Sequence, residues 1–403
     1  MAAYLIGSIA FCLQRPSRSS PHSSCEGRVG RIRVALLGAS GSIGLQAADV
    51  MAQHPEAFEL VALASGRGGE QHDALAKTNP QARSLVGGSA DDLRSLVLDF
   101  APDIALIATT GVVGLPATVA ALEAGVAVAI ANKETIVAGG DVLMRAARSA
   151  AERKGSSVLE RLRPVDSEHS ALWQCLVGES LDRVRSLWLT ASGGPLREST
   201  ASEIAAATPA KALKHPTWSM GAKITIDSAT LVNKGLEAIE AHRLFSVPME
   251  QIKIVVHPQS VVHGLVEFVD GSTKAQMGSP DMRGPIGYAL GYPARMPSAI
   301  PNVDLALHGS LTFAAPDLIR FPGLAIALEA GRAGGAAPGA LIAADGVAVD
   351  RFLAGEFLLG GIPRLLQDAV DQFGARPAPA SVDEVISLHE EVTQFAERWS
   401  GAA

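Results

Sequence analysis

Cysteine is scarce: Cys12, Cys25 and Cys175 are the only three in 403 residues, and they form neither a metal-ligand spacing nor a disulfide framework. That scarcity points to a reducing compartment. Also missing is any uninterrupted apolar run of the roughly 18 residues that a membrane-spanning helix needs. Many Gly and Ala residues raise the mean hydropathy, but Pro, Gly and charged residues break every apolar stretch. Nor is positive charge in excess, since 34 Lys and Arg face 41 Asp and Glu for a formal charge of -7. This balance excludes a broad basic surface, so neither nucleic acid nor a membrane is expected as a partner. A local pocket for a small anion remains open, because it needs only a few donors.

With 48% hydrophobic and 19% charged residues, the chain has the composition of a folded soluble protein of two or three domains. Residues 4–13 are mostly apolar, residues 14–28 then bring Arg, Ser and Pro, and the first acid is Glu26. Residues 1–30 therefore read as an extension or a processed leader. A secretory signal fits poorly, because the basic residues follow the apolar part. The expected location is the cytoplasm for a bacterial protein, or a plastid if the segment is a transit peptide.

Regular architecture starts at Arg33. Residues 34–37 read as a short buried strand, the GASGSIG stretch at 38–44 follows at once, and residues 43–53 suit a helix. Residues 60–64 form the next strand. Further apolar strands at 104–108 and 126–130 flank a helical stretch, 116–124, which Gly125 is placed to end. Short strands that are apolar throughout belong in a parallel sheet covered on both faces. The fold class is thus α/β, with a doubly wound, Rossmann-like domain over residues 31–165. A central α/β catalytic domain is expected over 166–291, with strands at 186–190, 224–226 and 252–256 and a continuation at 261–268. Pro293, Pro297 and Pro301 punctuate a linker at 292–316. A C-terminal helical domain fills 317–403, interrupted by the glycine-rich residues 331–335.

In the 38–44 loop, Gly38 suits a tight exit from the strand, Gly41 close approach of the backbone to a ligand, and Gly44 helix–sheet packing. N–H groups at the helix start then face a pyrophosphate. An NAD site often places an acid about 20 residues further on. Residues 63–68 (LASGRG) hold none, and Arg67 is available for a 2′-phosphate. NADPH is the expected cofactor, unless Arg67 simply faces solvent.

Asp166 and Glu168 would share a side if their short piece is extended, because side chains alternate along a strand. Two hard oxygen ligands suit Mg2+ or Mn2+. Alone, they are also ordinary acids at a helix start. Residues 227–237 (DSATLVNKGLE) gather hydroxyl, amide, ammonium and carboxylate groups at an expected strand-to-helix transition. Ser228, Asn233 and Lys234 can hold phosphate oxygens. Glu237, three residues past Lys234, can reach a metal from the same helix face. The plainer reading is a capped helix with a polar surface. Ser192-Gly193-Gly194 offers another phosphate loop. In the 214–221 segment Pro216 restricts the turn, Gly221 permits movement, and His215 and Trp218 either close over a substrate or pack.

Seven stretches carry a resemblance: GASGSIG from Gly38, ANKE from Ala131, PVDSEHSA from Pro164, ASGGP from Ala191, KHPTWSMGAKITIDSATLVNKGLE from Lys214, HPQSVVHG from His257 and PDMRGPIGYAL from Pro280. On these the sequence resembles the 1-deoxy-D-xylulose 5-phosphate reductoisomerase family, over nearly everything from Arg31 into the C-terminal domain. The resemblance implies NADPH-dependent rearrangement and reduction of that sugar phosphate to 2-C-methyl-D-erythritol 4-phosphate, by retro-aldol and aldol steps or by an α-ketol shift. It implies metal ligation by Asp166, Glu168 and Glu237, and substrate contacts from Lys133, Ser167, Glu168, Ser192, His215, Ser228, Asn233, Lys234 and Glu237. Lys133 would add positive charge near the reacting oxygens, making it catalytic alongside the three acids. Ser40, Gly41, Ser42, Ile43, Gly66, Arg67, Asn132, Glu134 and Gly221 match cofactor-contact positions. His215, Trp218 and Met220 match a flap over the site, and a homodimer is implied as well.

Three places depart from the family pattern: Arg163 stands where an apolar residue is usual, Gly68 replaces an amide, and residues 341–346 (LIAADG) replace an LNAANE-like piece. Two other readings compete. A different NADPH-dependent dehydrogenase, acting on a semialdehyde or lactone, would need no acid triad beside a phosphate cluster. A silent relative would have lost one of the three acids or Lys234, and all are present.

Overall fold

The computed structural model describes residues 30–214 and 220–401. The N-terminal segment read as an extension or leader, and His215 and Trp218 of the expected flap, lie outside the described residues.

Strand β1 (Ile32–Leu37) leads into helix α1 (Ser42–Gln53), and the chain returns on β2 (Phe58–Ser65). The alternation continues through α2 (Glu70–Thr78), β3 (Arg83–Val86), α3 (Ala90–Phe100), β4 (Ile104–Ile107) and α4 (Leu115–Glu123). It closes with β5 (Ala127–Ile130), α5 (Lys133–Lys154), α6 (Val158–Arg161) and β6 (Leu162–Pro164). The sheet order is β3-β2-β1-β4-β5-β6, and every pair is parallel. The unbroken apolar runs have their cause in burial on both faces: Val34 and Leu36 join one core cluster, Ala35 and Leu37 the other. Chain order reverses between β1 and β4, which opens a crevice at their C-terminal ends where residues 38–44 lie.

Helix α7 (Ser167–Leu176) then leads to β7 (Val184–Ala191), and the short helices α8 (Ala201–Ala205) and α9 (Pro209–Ala212) follow. Next come α10 (Ala222–Thr230), α11 (Val232–Phe245), β8 (Ile252–Val256), β9 (Val262–Phe268) and β10 (Thr273–Met277). The second sheet runs β10-β9-β7-β8, with β7 and β8 parallel and the other neighbours antiparallel. Helix α12 (Arg283–Gly291) packs back onto α1. Beyond α13 (Leu305–His308), Ala314 pairs with Val256. The rest is helical: α14 (Pro322–Ala333), α15 (Ala337–Leu353), α16 (Gly361–Phe373) and α17 (Val382–Arg398). Helix α15 lies at the centre of this part, against α16, α17 and α5.

Three expectations are corrected. Residues 224–226 are no strand but part of α10; their β-branched run is overridden by packing, since Ile226, Ala229 and Thr230 turn inward at helical spacing. The 227–237 cluster therefore spans a helix–helix junction, where Leu231 at φ 58 ends α10 and α11 begins. Residues 166–168 are not extended either: Asp166 is the N-cap residue of α7 and Glu168 lies in its first turn. Edge strands β3 and β10 are largely exposed and have no apolar run to reveal them.

Candidate active site

The 38–44 loop is built tightly. Gly38 sits at φ +95, and a Cβ there would lie 2.2 Å from the Ala108 carbonyl oxygen. At Gly44 a Cβ would lie 2.2 Å from the Gly38 carbonyl oxygen, so α1 winds directly onto the loop. The Ser40 N–H donates to Ser65 Oγ (3.2 Å), which lies 2.8 Å from His72 Nδ1, tying the loop to the end of β2. Gly66 and Arg67 follow β2 and are exposed.

The start of α5 forms the next wall. Asn132 caps it, accepting from the Thr135 N–H (2.6 Å) and donating to the carbonyls of Thr109 (2.6 Å) and Gly111 (2.8 Å). Its side chain thus joins the end of β4 to α5. Lys133, the first residue of α5, donates to Asp166 Oδ2 (2.9 Å) and Asn233 Oδ1 (2.6 Å).

From α7 and α11 come the acids. One carboxylate oxygen each of Asp166, Glu168 and Glu237 lies within 4.8 Å of the others. The Lys234 ammonium bridges Glu168 (2.7 Å) and Glu237 (2.5 Å), while Asn233 donates to Glu237 (2.6 Å) and Ser167 to Glu168 (2.5 Å). Burial and the neighbouring Glu168 carboxylate push the Glu237 carboxyl well above its ordinary value. Burial acts the same way on Asp166, but the charges of Lys133, His169 and Lys234 outweigh it and hold that carboxyl below the usual range. For Lys234, burial favours the neutral amine, yet Glu168 and Glu237 prevail and raise its value. Three converging carboxylates beside two ammoniums form a hard-oxygen set that fits a divalent cation.

These walls enclose a cavity of about 730 Å³. Gly41, Ser42, Ile43, Glu134, Met220 and Gly221 line it. Lys133, the three acids, Ser167, Ser192, Ser228, Asn233 and Lys234 line it as well. Ser40, Gly66, Arg67 and Asn132 are not part of this lining. Sequence reasoning missed several neighbours. Met282 and Arg283 line the cavity from the start of α12, with Asp281 held by Arg283 (2.6 Å). His263 on β9 also reaches it, its imidazole pushed down by burial. Behind the acids, Glu240 has an Oε2 atom that is buried without a hydrogen-bond partner, and burial pushes its carboxyl up to about 7. Its place three residues after Glu237 was the available signal.

Two departures acquire partners. Arg163 donates to the Ala289 carbonyl (2.8 Å) and lies 5.7 Å from the Tyr292 ring centroid, so its charge covers the end of α12. Asp345 is fully buried and accepts from Lys223 (2.6 Å).

Known proteins resemble this chain over most of its length. The profile described as 1-deoxy-D-xylulose 5-phosphate reductoisomerase matches residues 34–86 and 69–140. Its C-terminal domain profile matches 162–245, and a DXP reductoisomerase C-terminal domain profile matches 277–395. The chain is 46% identical over 389 residues to the 1-deoxy-D-xylulose 5-phosphate reductoisomerase of Anaeromyxobacter sp. (strain K), covering 92% of this chain and 97% of that one. Among solved structures, it is similar to the Zymomonas mobilis reductoisomerase in complex with NADPH, with a TM-score of 0.82 and 36% identity over 91% of this chain and 98% of that one. A DOX-P reductoisomerase in complex with NADPH, fosmidomycin and magnesium is similar at a TM-score of 0.81 and 35% identity, over 90% and 97% of the two chains.

Proposed function

The chain belongs to the 1-deoxy-D-xylulose 5-phosphate reductoisomerase family, and we propose that the cavity between the 38–44 loop and the Asp166, Glu168 and Glu237 cluster is where it carries out that family's reaction. The reaction is NADPH- and divalent-metal-dependent rearrangement and reduction of 1-deoxy-D-xylulose 5-phosphate to 2-C-methyl-D-erythritol 4-phosphate, a step towards isoprenoid precursors. The reading of the site rests on one observation: the glycine-rich loop, a three-acid cluster and a group of hydroxyl, amide and ammonium side chains share a single cavity.

When bound, the divalent cation supplies Lewis-acid polarisation of neighbouring substrate oxygens, and NADPH supplies a hydride. Asp166, Glu168 and Glu237 would hold the cation. Lys133 keeps positive charge beside that cluster, its ammonium retained because Asp166, Glu240 and Glu237 outweigh the cost of burial. Ser192, Ser228, Asn233 and Lys234 would anchor the substrate phosphate, so that binding far from the reacting carbons orients them. Lys234 is engaged by Glu168 and Glu237, and it would be available to phosphate where those carboxylates hold the cation. Ser40 to Ile43 present the start of α1 to the pyrophosphate, while Gly66 and Arg67 receive the 2′-phosphate. Glu134 and Gly221 would both flank the cofactor, and Asn132 supports the start of α5. Met220, with His215 and Trp218, would close over the substrate and exclude water.

NADPH absorbance, followed with purified protein, substrate and Mg2+, tests the reading. Oxidation that needs both metal and substrate and yields methylerythritol phosphate supports it. A folded protein that binds NADPH but leaves the substrate unchanged overturns it. Replacing Mg2+ by Mn2+ in the same assay tests the finer expectation that either ion serves. Light scattering tests the expected homodimer, and N-terminal sequencing of the mature protein tests whether a plastid-type leader is removed.

A further inference from the structure

A second charged set meets the cavity, with two buried carboxylates on the half-buried ammonium of Lys223. Asp227, 1% exposed, and Asp345, fully buried, both accept from the single ammonium of Lys223, at 2.7 and 2.6 Å. The Oδ1 atom of each carboxylate is buried without a hydrogen-bond partner among the described residues. Two carboxylates on one ammonium leave an uncompensated negative charge inside the protein, which is costly unless the pair retains a proton. Burial and then the Asp345 charge push the Asp227 carboxyl up to about 7.

Location gives this cluster its meaning. Lys223 lies in the first turn of α10, two residues past Gly221, and both line the cavity along with Glu134. Asp345 lies within α15 of the C-terminal helical part, where the sequence leaves the LNAANE-like pattern. Helix α15 is therefore tied by charge to the helix start that walls the cofactor side of the cavity. We propose that Asp345 is a positioning residue for the reductase site: through Lys223 it fixes the first turn of α10, and with it the Gly221 backbone, against the bound dinucleotide. The inference rests on reading this cavity as the NADPH site.

The charged groups that act on the cluster are few. Lys133 at the start of α5 acts on Asp227, and Glu134 acts on Lys223. Helix α11 turns Lys234 and Glu237 towards Glu168 and each other. Glu329 and Arg332 on α14 and Lys211 on α9 are exposed. Protonation of Asp227 is thus governed mainly by its burial, by Asp345 and by Lys223. As pH rises through neutrality that carboxyl loses its proton, and its charge meets that of Asp345 across the ammonium.

The test is NADPH titration of the full-length protein without sugar phosphate, between about pH 6 and pH 8, alongside kcat and KM. Asp345→Ala removes one arm of the clamp and should weaken NADPH binding roughly tenfold, raising the KM for NADPH more than it lowers kcat. Asp345→Asn keeps the size of the side chain but removes the charge that raises Asp227, so it should restore affinity and flatten the part of the pH dependence that the wild type owes to the Asp227 proton. A folded Asp345→Ala protein with wild-type affinity overturns the proposal, and so does an Asp345→Asn protein that follows the wild-type pH curve. If the alanine variant does not fold, the asparagine variant's pH curve decides. Wild-type protein that binds NADPH but does not turn over substrate would sink the functional reading while leaving this binding test intact.

Discussion

Replacing Lys234 by Met tests whether the acid cluster is held together by charge balance. Lys234 is 4% exposed and donates to Glu168 at 2.7 Å and Glu237 at 2.5 Å. Met is flexible and apolar, so it can fill the space without the charge. In metal-free protein the variant leaves three converging carboxylates beside Lys133 alone. Breaking a buried ion pair from one side costs about 3–5 kcal/mol, a large share of the roughly 5–15 kcal/mol that keeps a domain folded. At about 2–4 °C per kcal/mol for a unit of this size, the metal-free variant should melt roughly 6–20 °C below the wild type. Added cation should act in the opposite sense. In the variant Mg2+ no longer competes with an ammonium for Glu168 and Glu237, so it binds these carboxylates more tightly. At a hundredfold excess over its Kd the ion stabilises by about 2.7 kcal/mol. The assay is thermal melting in EDTA and across a Mg2+ titration. The gap between variant and wild type should narrow as Mg2+ is added, because the Mg2+-induced rise is larger in the variant. An equal or smaller rise would refute the idea that ammonium and cation share the carboxylates.

Glu237→Gln keeps the size of the side chain but removes a ligand charge; turnover at fixed Mg2+ should fall by more than about 100-fold with circular dichroism unchanged, and near-normal kinetics would reject the ligand role. Arg67→Ala should narrow the NADPH-over-NADH preference by roughly 10- to 100-fold, as read from the ratio of kcat/KM values; an unaltered ratio would assign selectivity to the missing acid at the end of β2 instead. Gly44→Ala drives a Cβ to 2.2 Å from the Gly38 carbonyl oxygen, so it should lower stability by about 1–3 kcal/mol and weaken NADPH binding in titration, and wild-type behaviour on both counts would contradict the packing described. The Asp227 carboxyl, pushed up to about 7, keeps its proton in the folded chain where the unfolded chain, with an ordinary value of 3.8, has lost it. Its contribution to stability is therefore greatest below the ordinary value, falls by about 1.4 kcal/mol per pH unit as pH rises to about 7, and is level above. Asp345→Asn should flatten that slope in melting experiments, and an unchanged slope counts against Asp345 as a cause of the raised Asp227 value.

The nucleotide-binding half was legible because its local pattern and its burial coincide. Residues 34–37 are apolar throughout because alternate side chains enter different cores, and Gly38 and Gly44 stand where a Cβ has no room. In the catalytic half the chemistry was legible but the backbone was not. Asp166 and Glu168 meet from the N-cap and first turn of α7, not from one side of a strand, and either backbone brings two acids together. Residues 224–226 carry a strand-like composition, yet packing of α10 against α11 and α15 decides their conformation. The Lys223–Asp345 contact crosses 122 positions, and no local pattern announces a partner at that distance.

Both charged clusters follow the same physical logic. Each gathers more carboxylates than the ammoniums beside it, and both draw on the helix pair that meets at Leu231. Burial pushes Asp227, Glu237 and Glu240 up together, so these groups oppose folding near neutral pH. The surrounding apolar core offsets that opposition, and a cation held by Glu237 would relieve it further. Lys133 couples the two sets, because its charge acts on Asp166 and Glu237 and also on Asp227. Occupation of the metal site would neutralise carboxylates that Lys133 now serves, changing the field felt at the α10 clamp. Metal binding and cofactor binding are therefore expected to be linked through Lys133, with each altering the affinity for the other by one common factor.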